Sequence, residues 1–161
     1  MAYVFVLPAK VVYPAQGRSP RPGLARHDQA DGYCGELQRE KVVRAVTVSH
    51  YGAPPVMRDL PVPAAGPGQI RIKLAAAGMN PMDASLASGG WRPAPAVFPM
   101  VLGADGAGNV DSLGAGVTRF SLGERIFGQL LLAPIGSTGT YAEYVAVTAD
   151  APLAACPRGS T

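Results

Sequence analysis

Residues 66–74 read Gly-Pro-Gly-Gln-Ile-Arg-Ile-Lys-Leu, a turn written in glycine and proline followed by Ile70, Ile72 and Leu74 alternating with Arg71 and Lys73. Successive side chains of an extended chain point to opposite faces, so this stretch is a strand with one apolar face and one cationic face. Such a strand needs a second layer to cover its apolar side. Working outward, Val46 and Val48 alternate with polar neighbours, and Ile126–Phe127 and Tyr141–Val147 are rich in β-branched and aromatic residues; all three are expected strands. Pro81–Ser88 (PMDASLAS) is the best helical candidate, with proline where the first turn has no use for its missing N–H. His50, beside the Gly52 turn, reads as solvent-facing. Several short strands, frequent Gly/Pro turns and few helices predict a mainly β fold, a small barrel or sandwich with one or two short helices.

Composition agrees. The 161 residues include 20 glycines and 16 prolines, with 48% hydrophobic and 16% charged residues. Gly and Pro both disfavour helix interiors. The formal charge of +3 is spread thinly: residues 1–42 carry six Lys/Arg against four acids, and the rest carry eight against seven. No basic stripe forms, so a nucleic-acid partner is not expected. No apolar run reaches the length of a membrane span, and no membrane association is expected. Cys34 and Cys156 lie far apart without a CxxC, which points to free thiols in a reducing compartment and to the cytoplasm.

The chain divides near residue 42. Pro14–Arg26 (PAQGRSPRPGLAR) lacks hydrophobic periodicity and cannot bury enough apolar area to offset its ordering entropy. Residues 1–42 are therefore expected to be a flexible, disordered extension, or a mis-annotated one with Val43 as an alternative start. Residues 43–153 form the expected domain and 154–161 a tail.

Four stretches in order carry a family resemblance: Ala77–Asp83 (AGMNPMD) with Gly89-Gly90-Trp91; Pro99–Val110 (PMVLGADGAGNV); Gly114–Ile126 (GAGVTRFSLGERI); and Gly139–Val145 (GTYAEYV). Read from the residues alone, Gly103, Gly106 and Gly108 allow a strand to bend or a backbone to approach closely, and Gly123 makes a turn before a strand beyond a packed Val117/Phe120 pair. They are not a dinucleotide fingerprint, because Asp111 and Arg119 stand where GxGxxG needs its last glycine. Together the four stretches resemble the N-terminal GroES-like catalytic domain of medium-chain dehydrogenases/reductases. The resemblance runs from about Arg44 to Leu153 and implies a partly open β-barrel.

Within that family the chain is similar to the zinc-independent, quinone-oxidoreductase-like branch. Zinc-dependent relatives carry Cys at the place of Asn80 and a His-Glu pair at Ala104-Asp105. Neither Asn80 nor Ala104 suits zinc, so no metal site is expected. The resemblance implies hydride transfer from NADPH to a conjugated carbonyl or quinone. Asn80 is then expected to face the nicotinamide end of the cleft, Trp91 to wall it and Tyr141 to offer a hydroxyl. Asp83 is expected to anchor the short helix, and no catalytic residue is assigned. By the same resemblance the chain ends before the cofactor-binding Rossmann domain. It is expected to be the substrate-cleft half of an oxidoreductase, with no NADPH site of its own and inactive unless a partner chain supplies the other half. The alternatives are a non-catalytic GroES-like binding module and the remnant of a disrupted gene.

Overall fold

The computed structural model describes residues 3–5 and 42–157. Nine strands and one helix follow in the order β1 (Tyr3–Phe5), β2 (Val42–Val48), β3 (Val56–Pro61), β4 (Gln69–Met79), α1 (Pro81–Ser88), β5 (Met100–Val101), β6 (Asp105–Leu113), β7 (Arg125–Gln129), β8 (Tyr144–Thr148) and β9 (Leu153–Ala155). They form two antiparallel sheets that do not close. In one, β1, β4, β6, β7 and β9 lie side by side with β8 also paired to β4; the other runs β3-β2-β5. The fold is mainly β, as the spacing of strand and turn signals predicts. Apart from Tyr3–Phe5, the expected N-terminal extension through residue 41 lies outside the described residues, as does Cys34; Cys156 is a free thiol.

The Gly66–Gly68 turn is closed by the Gln69 N–H donating to the Gly66 carbonyl and by the Gly66 N–H donating to Gln69 Oε1, both at 3.0 Å. β4 then extends to Met79, well past Leu74. Ile70 and Ile72 are buried, while Arg71 turns outward to Asp111 on β6 (2.6 Å) and over the Tyr144 ring. The apolar face of β4 joins Val110, Phe120, Ile126, Val145 and Leu153 in the larger core, with Val117 packed against it. A second core lies under α1, where Leu86 meets Val48, Met100, Leu102 and Leu131.

Tyr141–Glu143 are not part of β8, which begins at Tyr144. They bridge the two sheets instead. The Tyr141 carbonyl accepts from the Val46 N–H (2.7 Å), the Tyr141 N–H donates to the Leu102 carbonyl (2.9 Å), and the Glu143 N–H donates to the Arg44 carbonyl (3.1 Å). Arg44 and Glu143 also form an ion pair at 2.6 Å. This bridge requires Gly103, whose φ of +96° suits glycine and whose absent side chain leaves room for Thr140 and Tyr141. On β6, a side chain at Gly108 would run into the Lys73 carbonyl of β4. Gly106 sits between Thr140, Leu74 and Leu130, and Gly123 turns the chain into β7 with open space around it.

Candidate functional site

β4 ends at Met79 and α1 begins at Pro81, so Asn80 is the corner between strand and helix. Its extended backbone (φ −124°, ψ 151°) is the conformation of a residue just ahead of a helix. Asp83, in the first turn, reaches back: its Oδ2 accepts from the Asn80 backbone N–H at 2.8 Å, while the Asp83 N–H donates to the Asn80 carbonyl at 3.0 Å. A carboxylate here also faces the positive end of the helix. Gly89, left-handed at φ +80°, ends the helix with its N–H on the Leu86 carbonyl.

The same Asp83 Oδ2 accepts from the Tyr141 hydroxyl at 2.8 Å. Asn80 Nδ2 donates to Asp105 Oδ2, also at 2.8 Å. Because a carboxylate only accepts, Asp105 fixes which side of the Asn80 amide carries its nitrogen. Three segments distant in sequence thus share one polar corner: the β4–α1 junction, the start of β6, and the bridge at Tyr141. Asp83 is 4% exposed, and its Oδ1 is buried without a hydrogen-bond partner in the protein.

This corner forms one wall of a pocket of about 430 Å³, otherwise lined mainly by Val46, Pro55, Met79, Ala84, Ala87 and Leu102. An apolar cavity with a few convergent polar groups is the usual form of a small-molecule site. A smaller pocket of about 270 Å³ between Val43, Leu60, Thr138 and Tyr144 contains no carboxylate or cation and none of the expected site residues.

Burial raises the Tyr141 phenol well above its ordinary range, and the adjacent Asp83 and Asp105 carboxylates push it further in the same direction. The hydroxyl is therefore neutral, and its proton is committed to Asp83. Trp91 is not among the residues lining this pocket. Past the left-handed turn at Gly89 the Trp91 N–H returns to the Ser85 carbonyl, and Trp91 is 40% exposed. His50 is exposed on its turn. The part of Asp105 was not legible in the sequence, since a partner 25 positions from Asn80 leaves no local signal. Among the described residues no three His, Cys, Asp or Glu side chains gather as a metal-holding group, and Ala104, 1% exposed, has no ligand atom in its side chain.

Comparisons with known proteins bear on the fold and the family. The profile of the alcohol dehydrogenase GroES-like domain family matches residues 66–158. The quinone oxidoreductase of Rattus norvegicus is 37% identical over 114 residues, which make up 69% of this chain and 32% of that protein. An alcohol dehydrogenase of Rhizobium meliloti is 43% identical over 84 residues, 51% of this chain and 24% of that protein. Among solved structures, an alcohol dehydrogenase superfamily protein from Novosphingobium aromaticivorans superposes with a TM-score of 0.65 at 35% identity, over 74% of this chain and 36% of that one. The chain thus spans about a third or less of the length of these curated relatives. It belongs to the alcohol dehydrogenase GroES-like domain family.

Proposed function

We propose that the chain supplies the substrate cleft of an NADPH-dependent quinone or enone reductase, with a flat conjugated carbonyl lying in the pocket and its oxygen toward Asn80. One observation carries this reading: in a largely apolar cavity, the polar groups converge at a single corner, where Asn80, Asp83 and Tyr141 are tied together at 2.8 Å. A flat apolar ring gains by burial against Val46, Leu102 and Ala87. Asn80 spends one N–H on Asp105 and has a second to offer.

The pocket suits the uncharged ring end of a nicotinamide as well, but no Lys or Arg lines it, so it offers nothing to hold a dinucleotide's diphosphate. Bound NADPH would supply the hydride. The residues of this chain would orient the acceptor, exclude water from its ring and keep its oxygen beside a neutral donor. Two carboxylates close to Asn80 would repel a full oxyanion, so the corner favours an acceptor whose oxygen takes up a proton from solvent as the hydride arrives at its carbon. Trp91, Tyr141 and Asp83 act on this chemistry indirectly: Asp83 orients Asn80, Tyr141 holds Asp83, and Trp91 borders the helix outside the cavity. Because no Lys or Arg lines this pocket, the chain by itself is proposed to be inert toward NADPH.

Titration of the full chain with 1,4-naphthoquinone, followed by NMR, tests this. Shifts are expected at Met79, Asn80 and Leu102, and Asn80→Ala should weaken binding roughly fivefold to tenfold, the worth of about one hydrogen bond. Quinone that left this corner unperturbed would refute the reading. Oxidation of NADPH by the chain with no second polypeptide would refute its inertness. Binding that no complementing cofactor domain ever converted to turnover would favour a non-catalytic binding module.

A further inference from the structure

The polar corner of the pocket carries charge of one sign. Asp105 opens β6 and is exposed beside Gly78, where a Cβ added to that glycine would lie 3.3 Å from the Asp105 Cβ. Its Oδ2 accepts from Asn80 Nδ2 at 2.8 Å, so a carboxylate stands one hydrogen bond behind the amide that lines the cavity. Asp83 places a second carboxylate in the lining itself, where it already faces the positive end of α1. No Lys, Arg or His lines the cavity to offset the two. Beside the Tyr141 bridge, Arg44 is paired with Glu143 at 2.6 Å and brings no net positive charge. Tyr141 registers the result: beyond burial, which is the larger cause, Asp83 and Asp105 both hold its phenol back from ionising. The Asp105 charge therefore reaches the pocket wall although its carboxylate is not part of the lining.

We propose that Asp105 is a specificity-determining residue: from behind Asn80 it gives the pocket a negative end that admits uncharged conjugated carbonyls and turns away those whose oxygens carry negative charge. This rests on the quinone reading above and adds a selection rule to it. Asp83 cannot be the separable part of that charge, because its Oδ2 also holds the Asn80 N–H and the Tyr141 hydroxyl. Asp105 can: an asparagine at 105 keeps an acceptor oxygen for Asn80 Nδ2 and removes only the charge. Like charges ~7 Å apart, at an effective dielectric between those of protein and water, disfavour an anionic ligand roughly fivefold. Because Asp105 is exposed, mobile ions screen this repulsion.

Two ligands of nearly one shape test the proposal: 1,4-naphthoquinone, which is neutral, and 2-hydroxy-1,4-naphthoquinone, which at neutral pH is an anion with its charge shared among the ring oxygens. Either carbonyl of the second ligand then brings negative charge to the corner. Dissociation constants for both are measured by NMR on the full chain, on Asp105→Asn and on Asp105→Glu. The ratio of the anion's constant to the neutral ligand's is expected to fall about fivefold in Asp105→Asn and to stay within about twofold of the parent value in Asp105→Glu. In the parent, the ratio should shrink toward the Asp105→Asn value as salt is raised to about 0.5 M. A ratio unmoved by Asp105→Asn, with both quinones still bound at Asn80, overturns the proposal and leaves the quinone reading standing. A ratio that both variants shift alike, or one that ignores salt, also overturns it, because Asp105 then acts by shape and not by charge. Failure of either quinone to perturb the Asn80 corner in the parent overturns the quinone reading, and this proposal with it.

Discussion

Replace Asp83 by alanine and two donors lose their acceptor at once. The Asn80 N–H and the Tyr141 hydroxyl both lie 2.8 Å from Asp83 Oδ2, and the carboxylate is 4% exposed. Hydrogen bonds to a charged group contribute about 1.5–3 kcal/mol each. Loss of both is partly offset because the carboxylate no longer has to be buried with its Oδ1 unpartnered. Asp83→Ala should therefore destabilise the fold by about 3 kcal/mol, a large share of the ~5–15 kcal/mol that holds a typical domain together. Asp83→Asn keeps an oxygen where the two donors meet and should cost only about 1 kcal/mol. It should also lower the Tyr141 pKa relative to the unaltered chain, though not to the ordinary value, because burial is the larger cause of the shift and remains. The folded pKa of Tyr141 lies above its unfolded one. Its contribution is consequently intact below about pH 10 and is lost as pH rises from there toward the folded value. Urea denaturation followed by far-UV circular dichroism gives the stabilities. Tyrosinate absorbance, with Tyr141→Phe as the reference, gives the titration. In the double-mutant cycle with Tyr141→Phe a coupling of about 1.5 kcal/mol is expected. A coupling near zero, or an Asp83→Ala variant as stable as the parent, would refute the reasoning.

Three other outcomes are expected. Gly103→Ala should cost at least about 2 kcal/mol, measured by the same urea transition, because φ +96° strains any side chain and a Cβ there would strike Thr140 and Tyr141. Arg119 donates to the carbonyls of Ala149, Ala151 and Leu153 and lies over the Phe120 ring; Arg119→Ala should speed amide exchange at Ala151 and Leu153 and cost about 1–2 kcal/mol, and lysine, lacking the planar fork, should not rescue it. Glu143 is shifted upward by burial, but its hydrogen bonds and ion pair with Arg44 outweigh this and leave its pKa below the ordinary value. Its stabilisation is therefore present above the usual carboxylate range and lost as pH falls through the lowered value, a loss that Glu143→Gln should remove from an acid unfolding curve.

Much of the fold could be read from local pattern. The alternation in GPGQIRIKL marks the start of β4, and Pro81–Ser88 is both the expected and the observed helix. The Val46/Val48 alternation and Ile126–Phe127 likewise fall in β2 and β7. These are signals of one segment's own periodicity and turn chemistry, and they need no partner to be seen. The strand expected over Tyr141–Val147 begins three residues later, because Tyr141–Glu143 bond to Arg44, Val46 and Leu102 across the gap between the sheets. Strands β3 and β9 carry no alternation strong enough to announce them; their neighbours β2 and β7 define them.

The amino-acid order alone determined a β-rich chain with one or two short helices, the best candidate starting at Pro81, and through its four ordered stretches it determined the family. What only the tertiary structure decided is which side chains meet. Asp105 finds Asn80, Tyr141 finds Asp83, and Trp91 lies outside the lining of the pocket that Asn80 borders. Periodicity belongs to a single segment, whereas a hydrogen bond between residues 58 positions apart exists only once strand register and the Gly103 approach have brought their backbones together.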